Sequence, residues 1–590
     1  MLSNVESVSV QAYGGDDQAV LHGSTAPDEF AARPGGAMMT VPGGELEVGG
    51  FEQIGATGGP GDEAKLYASA GDDTFEAGPV LATMAGPGFQ NAAAGFPAVH
   101  GYAWGGTDAA VLRGSAGDDV FRATPVEAAL WDDGFYNRAK GFTMVTAHAG
   151  EGNDLADLIG SAGGDVFAAR PGHAMLYGQG FDNRAWQFDR VRGHAGPGGT
   201  DLAKLFDSAE DDELIGSSRW VQLQGGGFAA EAYDFGAVHA YAVAGGFDIA
   251  RLFDSAGDDT FVAGPVEAAL YGDGYYNRAK QFEAVHAYAN GGRDVAYLSG
   301  SEGDDRFHGT PVEASLWGQG FYNRAKHFDQ VTGEAKTGDD EARLYDSDGD
   351  DMFVATPSFA TMYGPGYDNR VEHFDRVYGY APGAGLDEAR LYDSPGDDAF
   401  VGDRGVAALS GDGFYHRAEE FNGVHAYASE GFDTADFLGS DDADRFGATP
   451  TEAYLYTTGP SWFYNRAKHF DAVHAAGRGG IDEAELHGSP GRDTFFGDSQ
   501  RRTFYNAGYR QEIEQFEKIR VYGEGGGEDT ADLVGAVYDE GYTQRPIEGP
   551  GADFASVVWL FDFSEMQTRD EPTDPKTVRA IDTVISAYWD

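Results

Sequence analysis

An aspartate followed two residues later by a large apolar side chain, as in GSAGDDVFR at 114–122, recurs eleven times along the chain. The set is Asp28, Asp73, Asp119, Asp165, Asp212, Asp259, Asp305, Asp351, Asp398, Asp444 and Asp493. The residue just before it is less constant, with Pro27, Gly164, Ala443 and Arg492 among its occupants. A side chain needed for inward geometry keeps its identity in this way, and a solvated neighbour drifts. Carboxylates beside glycine-rich turns suit a hard cation. Ca2+ takes about six to eight oxygens, and glycine lets turn carbonyls face an ion without steric cost.

One aspartate per copy is too few ligands, so each needs a partner. Counting eighteen residues on lands on asparagine in six copies, pairing Asp73 with Asn91, Asp119 with Asn137, Asp165 with Asn183, Asp259 with Asn277, Asp305 with Asn323 and Asp351 with Asn369. Asp398 meets His416 instead. The expected centre is calcium held between such an Asp and Asn, with carbonyls from the GDD and GxG turns. The competing reading is turn chemistry, in which Asp accepts from its own backbone and Asn side chains form ladders.

Other residues recur without implying catalysis. A second aspartate series (Asp17, Asp62, Asp108, Asp154, Asp201, Asp248, Asp294, Asp340, Asp387, Asp433, Asp482, Asp529) follows glycines and reads as a strand-opening turn residue rather than a ligand. The arginine after the asparagine (Arg138, Arg184, Arg278, Arg324, Arg370, Arg417, Arg466) is expected to pair with an acidic ladder. His100, His239, His286, His425 and His474 obey the repeat, whereas a catalytic constellation is needed once and breaks it. No GxSxG, HExxH or P-loop appears, so no catalytic residue is assigned.

The elements that must position these groups are short. Aligned on Phe30, Phe75, Phe121, Phe167, Leu214, Phe261, Phe307, Phe353, Phe400, Phe446 and Phe495, the chain holds eleven repeats of about 46 residues. Each divides into pieces such as GGFDIARLF, DSAGDDTFV, AGPVEAALY and GDGYYNRAK, which open on turn residues and close on period-two apolar alternation. That pattern predicts strands and turns throughout. Strands this short bury a face only by stacking. The fold expected is all-β, a parallel β-solenoid of β-roll or β-helix type with a C-terminal cap. Coil lengths of 18 and 23 residues both stay open. A β-propeller is the alternative, but eleven copies without a linker exceed one closed wheel.

GSAGDDVFR also fits the nonapeptide G-G-x-G-x-D-x-U-x, with Ser115 in place of the second glycine, and GGTDAAVLR at 105 keeps both leading glycines. The chain therefore resembles the RTX, or hemolysin-type, calcium-binding repeat proteins, in degenerate form. The resemblance implies a parallel β-roll with calcium between successive turns and an extracellular or cell-surface location.

Composition narrows the function further. Ninety-seven acidic residues against 40 basic ones give a net charge of −57, which excludes nucleic acid and an anionic membrane as partners. There is no cysteine, hence no disulfide or thiol chemistry. The N-terminus has no cleavable-signal pattern, and no apolar run is long enough to span a membrane. Residues 1–535 read as the repetitive solenoid and 536–590 as a cap or export segment, in which Val578, Ile581, Val584 and Ile585 stand at helical spacing. The function expected is a secreted structural or adhesive calcium-binding protein, forming filaments or a surface layer by end-to-end or lateral self-association. A carbohydrate-active enzyme of the lyase or epimerase β-helix type, or a polysaccharide-binding module, is the alternative. The places for either are the broken copies at 217 and at 457, the latter carrying Trp462.

Overall fold

A computed structural model describes residues 7–459, 462–542, 556–581 and 583–589. Contacts divide the chain into two units, Met1–Asp294 with Gly320–Asn323, and Val295–Gln319 with Arg324–Asp590. Each is a β-solenoid of two facing sheets. The described residues contain no helix and no propeller blade.

One repeat of the first unit shows the plan. Its five strands are β1 (Ile249–Phe253), β2 (Thr260–Ala263), β3 (Glu267–Gly272), β4 (Tyr275–Lys280) and β5 (Ala284–Tyr288). β2, β3 and β4 form an antiparallel meander in one sheet, with Phe261 opposite Leu270 and Leu270 opposite Asn277. β1 and β5 lie side by side and parallel in the other sheet, Ala250 beside Val285. A parallel neighbour is thus 35 residues away, neither 18 nor 23, because the chain spends three strands in the facing sheet before it returns.

The meander also runs backwards. β4, its last strand, pairs in parallel with Ala237–Tyr241 of the preceding repeat. The second unit repeats the rule: along one sheet the order is Gln330–Glu334, Tyr367–Glu372, Phe359–Gly364, Met352–Thr356 and Glu388–Tyr392. The chain places a strand three positions ahead and then fills the two-strand gap in reverse. Successive repeats send their meanders to opposite sheets. Pairing in the repeats is therefore antiparallel inside each three-strand meander and parallel elsewhere, a mixture that period-two patterning does not distinguish.

The core lies between the sheets. Phe30, Phe75, Phe121, Phe167, Phe261, Phe307, Phe353, Phe400 and Phe495 are among its largest fully buried side chains, and Leu214 fills the place in the fifth repeat. A second phenylalanine series packs on the first, as in Phe75 against Phe142 (ring centroids 5.9 Å apart) and Phe353 against Phe421 (5.9 Å). The residue before this second ring takes a left-handed backbone. It is Gly95 or Gly141 in early copies but Gln281, His327 and His373 later, at φ 62–64°. There the side chain costs about 1–2 kcal/mol, so the bend is held by the packing on either side of it.

The helix expected near the C-terminus is not formed. Thr577–Ala580 and Ile585–Trp589 are strands, antiparallel to Glu565–Arg569 and Ser556–Phe561, which extend the two sheets. Val578 is exposed and Ile585 buried. Sheet pairing on an open rung offers backbone partners that a helix there would leave unused. No helix among the described residues is long and apolar enough to cross a membrane.

Candidate metal centres at the bends

Each fixed aspartate sits just before the first meander strand, except Asp444, which opens it. In DSAGDDTFV, the Ser255 N–H (2.9 Å) and hydroxyl (2.8 Å) both donate to Asp259 Oδ2. The Ser255 hydroxyl oxygen in turn accepts from the Gly257 N–H at 3.1 Å. The same bonds form at Ser347–Asp351 and Ser394–Asp398. This Ser-x-x-x-Asp clasp is the turn chemistry that the composition of the motif favours.

The second aspartate series takes part as well. Asp294 Oδ1 accepts the backbone N–H of Asp259 at 2.8 Å, Asp387 Oδ1 that of Asp351 at 2.9 Å, and Asp433 Oδ1 that of Asp398 at 2.9 Å. All eleven bends carry this bond across one coil. These residues open strands, as expected, and they also stand beside the fixed carboxylate.

A third carboxylate completes the group in three copies. Its position is held by Gly23 in the first repeat, where an added Cβ would stand 2.8 Å from Asp28 Oδ2 and 3.3 Å from Asp62 Oδ2. A side chain there points between two carboxylates. In three copies that side chain is itself acidic, giving the triads Asp254–Asp259–Asp294, Asp346–Asp351–Asp387 and Asp393–Asp398–Asp433. In each, one oxygen from every residue lies within 4.8 Å of the others. All of these residues are buried except the half-buried Asp393. Asp207 holds the same position beside Asp212 and Asp248 without completing such a cluster.

Among the described residues, no lysine or arginine pairs with Asp254, Asp259, Asp346, Asp351, Asp387, Asp393, Asp398 or Asp433. Burial, with the neighbouring Asp387 and Asp351, pushes Asp346 up to about 6. Burial, with Asp393, Asp398 and Asp471, does the same to Asp433. Burial also raises Asp254, Asp387 and Asp393. In the third triad Asp398 Oδ1 and Asp433 Oδ2 are buried without a hydrogen-bond partner. Unpaired buried carboxylate oxygen is costly and calls for a proton or a cation. The donor set is oxygen only, which suits a hard divalent ion and not zinc.

The asparagines go elsewhere. Register puts Asn277 on the third meander strand, two strands across from Phe261 and level with it, whereas Asp259 lies two residues earlier, in the bend before the first strand. Two strand spacings are about 9.6 Å, so the eighteen-residue count does not bring Asp and Asn together. Instead the Asn Nδ2 donates to a hairpin carbonyl in the facing sheet. Asn137 bonds Gly78, Asn183 bonds Thr124, Asn277 bonds Ser217, Asn323 bonds Gly264 and Asn369 bonds Thr310, at 2.8–3.0 Å. Asn91 is buried with neither amide atom partnered. His416 is buried too, and burial holds its imidazole down to about 4. Of the remaining expected residues, Asp73, Asp119, Asp165 and Asp305 occupy bends where Ala68, Gly114, Gly160 and Gly300 stand in place of the third carboxylate.

The arginines pair mainly across the meander, Arg138 with Glu127 and Arg324 with Glu313, rather than with the bends. In the broken copy at 217, Glu231 replaces the arginine and is fully buried, held by Arg190, Arg192 and Tyr233. Trp462 at the other irregular copy is exposed; Pro460 and Ser461 beside it lie outside the described residues.

Fold and site together define a two-sheet β-solenoid whose bends carry buried carboxylate triads able to hold a metal ion. The repeating turns are compatible with RTX-like repeats. Among known proteins, no family model matches the chain and no curated protein matches it.

Proposed function

We propose that this protein is a secreted structural or adhesive element whose bends are locked by calcium at the three aspartate triads. The observation that carries the reading is the convergence of three carboxylates at three equivalent bends of a repetitive core, with two buried oxygens of the third triad left without a hydrogen-bond partner. The clasp serine hydroxyls, 2.8 Å from the fixed aspartates, stand near enough to add oxygen ligands. A divalent ion there ties one coil to the next. It also offsets part of the −57 charge that otherwise drives the molecule apart. Nothing in the bends singles out one catalytic constellation, which favours a structural role over an enzyme.

Calorimetric titration of the metal-stripped chain with calcium tests this. Uptake of about three ions is expected, and Asp254→Asn, Asp346→Asn and Asp393→Asn together should abolish most of it. Absence of any uptake by the parent chain overturns the proposal.

A second reading, a polysaccharide-binding surface, is favoured by two equivalent open grooves in the first unit. One, of about 740 Å3, is lined by Arg33, Met38, Tyr67 and Trp104. The other, of about 610 Å3, is lined by Arg170, Met175, Lys204 and Phe206. Tyr67 stacks on Tyr102 and Phe206 on Tyr241 at 4.9 Å, forming flat platforms of the kind sugar rings pack on. Retention of the chain on an immobilised uronate polymer, lost in Tyr67→Ala with Phe206→Ala, supports it; no retention sinks it.

A further inference from the structure

The three triads are not equivalent, and the difference lies in a residue outside them. Sixteen positions beyond the fixed aspartate, the third meander strand opens on a ring that lies against that aspartate. Tyr275 donates its hydroxyl to Asp259 Oδ1 at 2.8 Å, and Tyr367 donates to Asp351 Oδ1 at 2.8 Å. At the third triad the ring is Phe414, and Asp398 Oδ1 is left without a partner although only 2% of the residue is exposed. Asp433, 1% exposed, has its Oδ2 unpartnered at the same bend. By equivalence with Gly23, that oxygen faces the position filled by Asp393.

We propose that residue 414 sets the order in which the centres fill, so that a divalent cation binds Asp393–Asp398–Asp433 first and most tightly, while Tyr275 and Tyr367 hold the other two centres weaker. The inference rests on the cation reading given above and concerns the same sites. Its physical basis is the cation-free state. A hydroxyl donor at Oδ1 stabilises a buried carboxylate before any ion arrives, by an amount that is large in a dry environment. Binding is measured from that state, so the more satisfied the empty centre, the smaller the gain on loading it. Phenylalanine supplies no donor, so the Ser394 clasp satisfies Asp398 Oδ2 alone and Oδ1 is left to the ion. The bend accepts either ring, since Gly272, Gly364 and Gly411, which face the aspartate Oδ1, leave the same space in all three copies.

Calcium titration of the metal-stripped full chain by calorimetry is the test. One tight ion and two weaker ones are expected in the parent. Phe414→Tyr should lower the affinity of the tight class about tenfold, the equivalent of one hydrogen bond to a charged group. Tyr275→Phe with Tyr367→Phe should convert the weak class into tight sites. Tyrosine and phenylalanine are both native at this position, and thermal melts in chelator check that each variant folds. Unchanged affinities in both variants, in a parent that binds calcium, overturn this inference and leave the cation reading standing. A parent that takes up no calcium overturns both.

Discussion

In chelator near pH 7 the protein is expected to melt well below its melting temperature in millimolar calcium, and this gap should close as the pH is lowered towards 5. The sign follows from the carboxylates. Asp346 and Asp433 rise from 3.8 to about 6 in the cation-free fold. A group whose folded value lies above its unfolded one adds stability below pH 4 and loses it as pH climbs through about 6. Cation-free protein is therefore more stable near pH 5 than near pH 7, as far as these groups decide it. Calcium reverses the order, because an ion held by three carboxylates displaces their protons and binds the folded state alone. At a hundredfold excess over Kd, one centre adds about 2.7 kcal/mol, and three add that amount three times if they act independently. Melts followed by circular dichroism across this pH range, with and without calcium, check the expectation. A gap that does not change with pH would separate any calcium effect from these residues.

Replacing Phe353 with alanine is expected to cost about 3–5 kcal/mol. Phe353 has no exposed surface. It sits opposite Met362 in the meander, beside Ala389 on the parallel strand, and against the Phe421 ring. Gly379 leaves space for it, since a Cβ on that glycine would come within 2.8 Å of the ring. The cavity left by truncation cannot be filled from neighbouring coils, whose backbones are fixed by their own ladders. Leucine, native at position 214 in the same place, should cost about 1.5 kcal/mol or less. Urea unfolding measures both, and an alanine cost below about 1 kcal/mol would show that this ring is not part of the core.

Much of this was readable in advance. Spacing of the phenylalanines gives the repeat, and alternation with glycine punctuation gives strands and bends. The length of a coil was not readable, because alternating burial is the same in a strand with a parallel or an antiparallel neighbour. That single gap explains the asparagine pairing: an eighteen-residue count from Asp259 ends on the same meander as it began. It also hid the part played by Asp294, Asp387 and Asp433, which meet their partners only once a 35- or 36-residue return is known. The third ligand did leave a mark. Asp254, Asp346 and Asp393, like Asp207, stand where the remaining copies have glycine or alanine, a change that a strand-opening turn alone does not require. At the C-terminus, helical spacing of four apolar residues was outweighed by unpaired strand edges.

Because each block of about 46 residues crosses between the two sheets an odd number of times, the block that follows always begins on the sheet opposite to the one where its predecessor began. Excising or duplicating a single block therefore hands the next block the sheet assignment of the one it replaces, and the weave stays in step. Such a chain can lengthen or shorten by single blocks, provided that the side chains meeting at the new junction match.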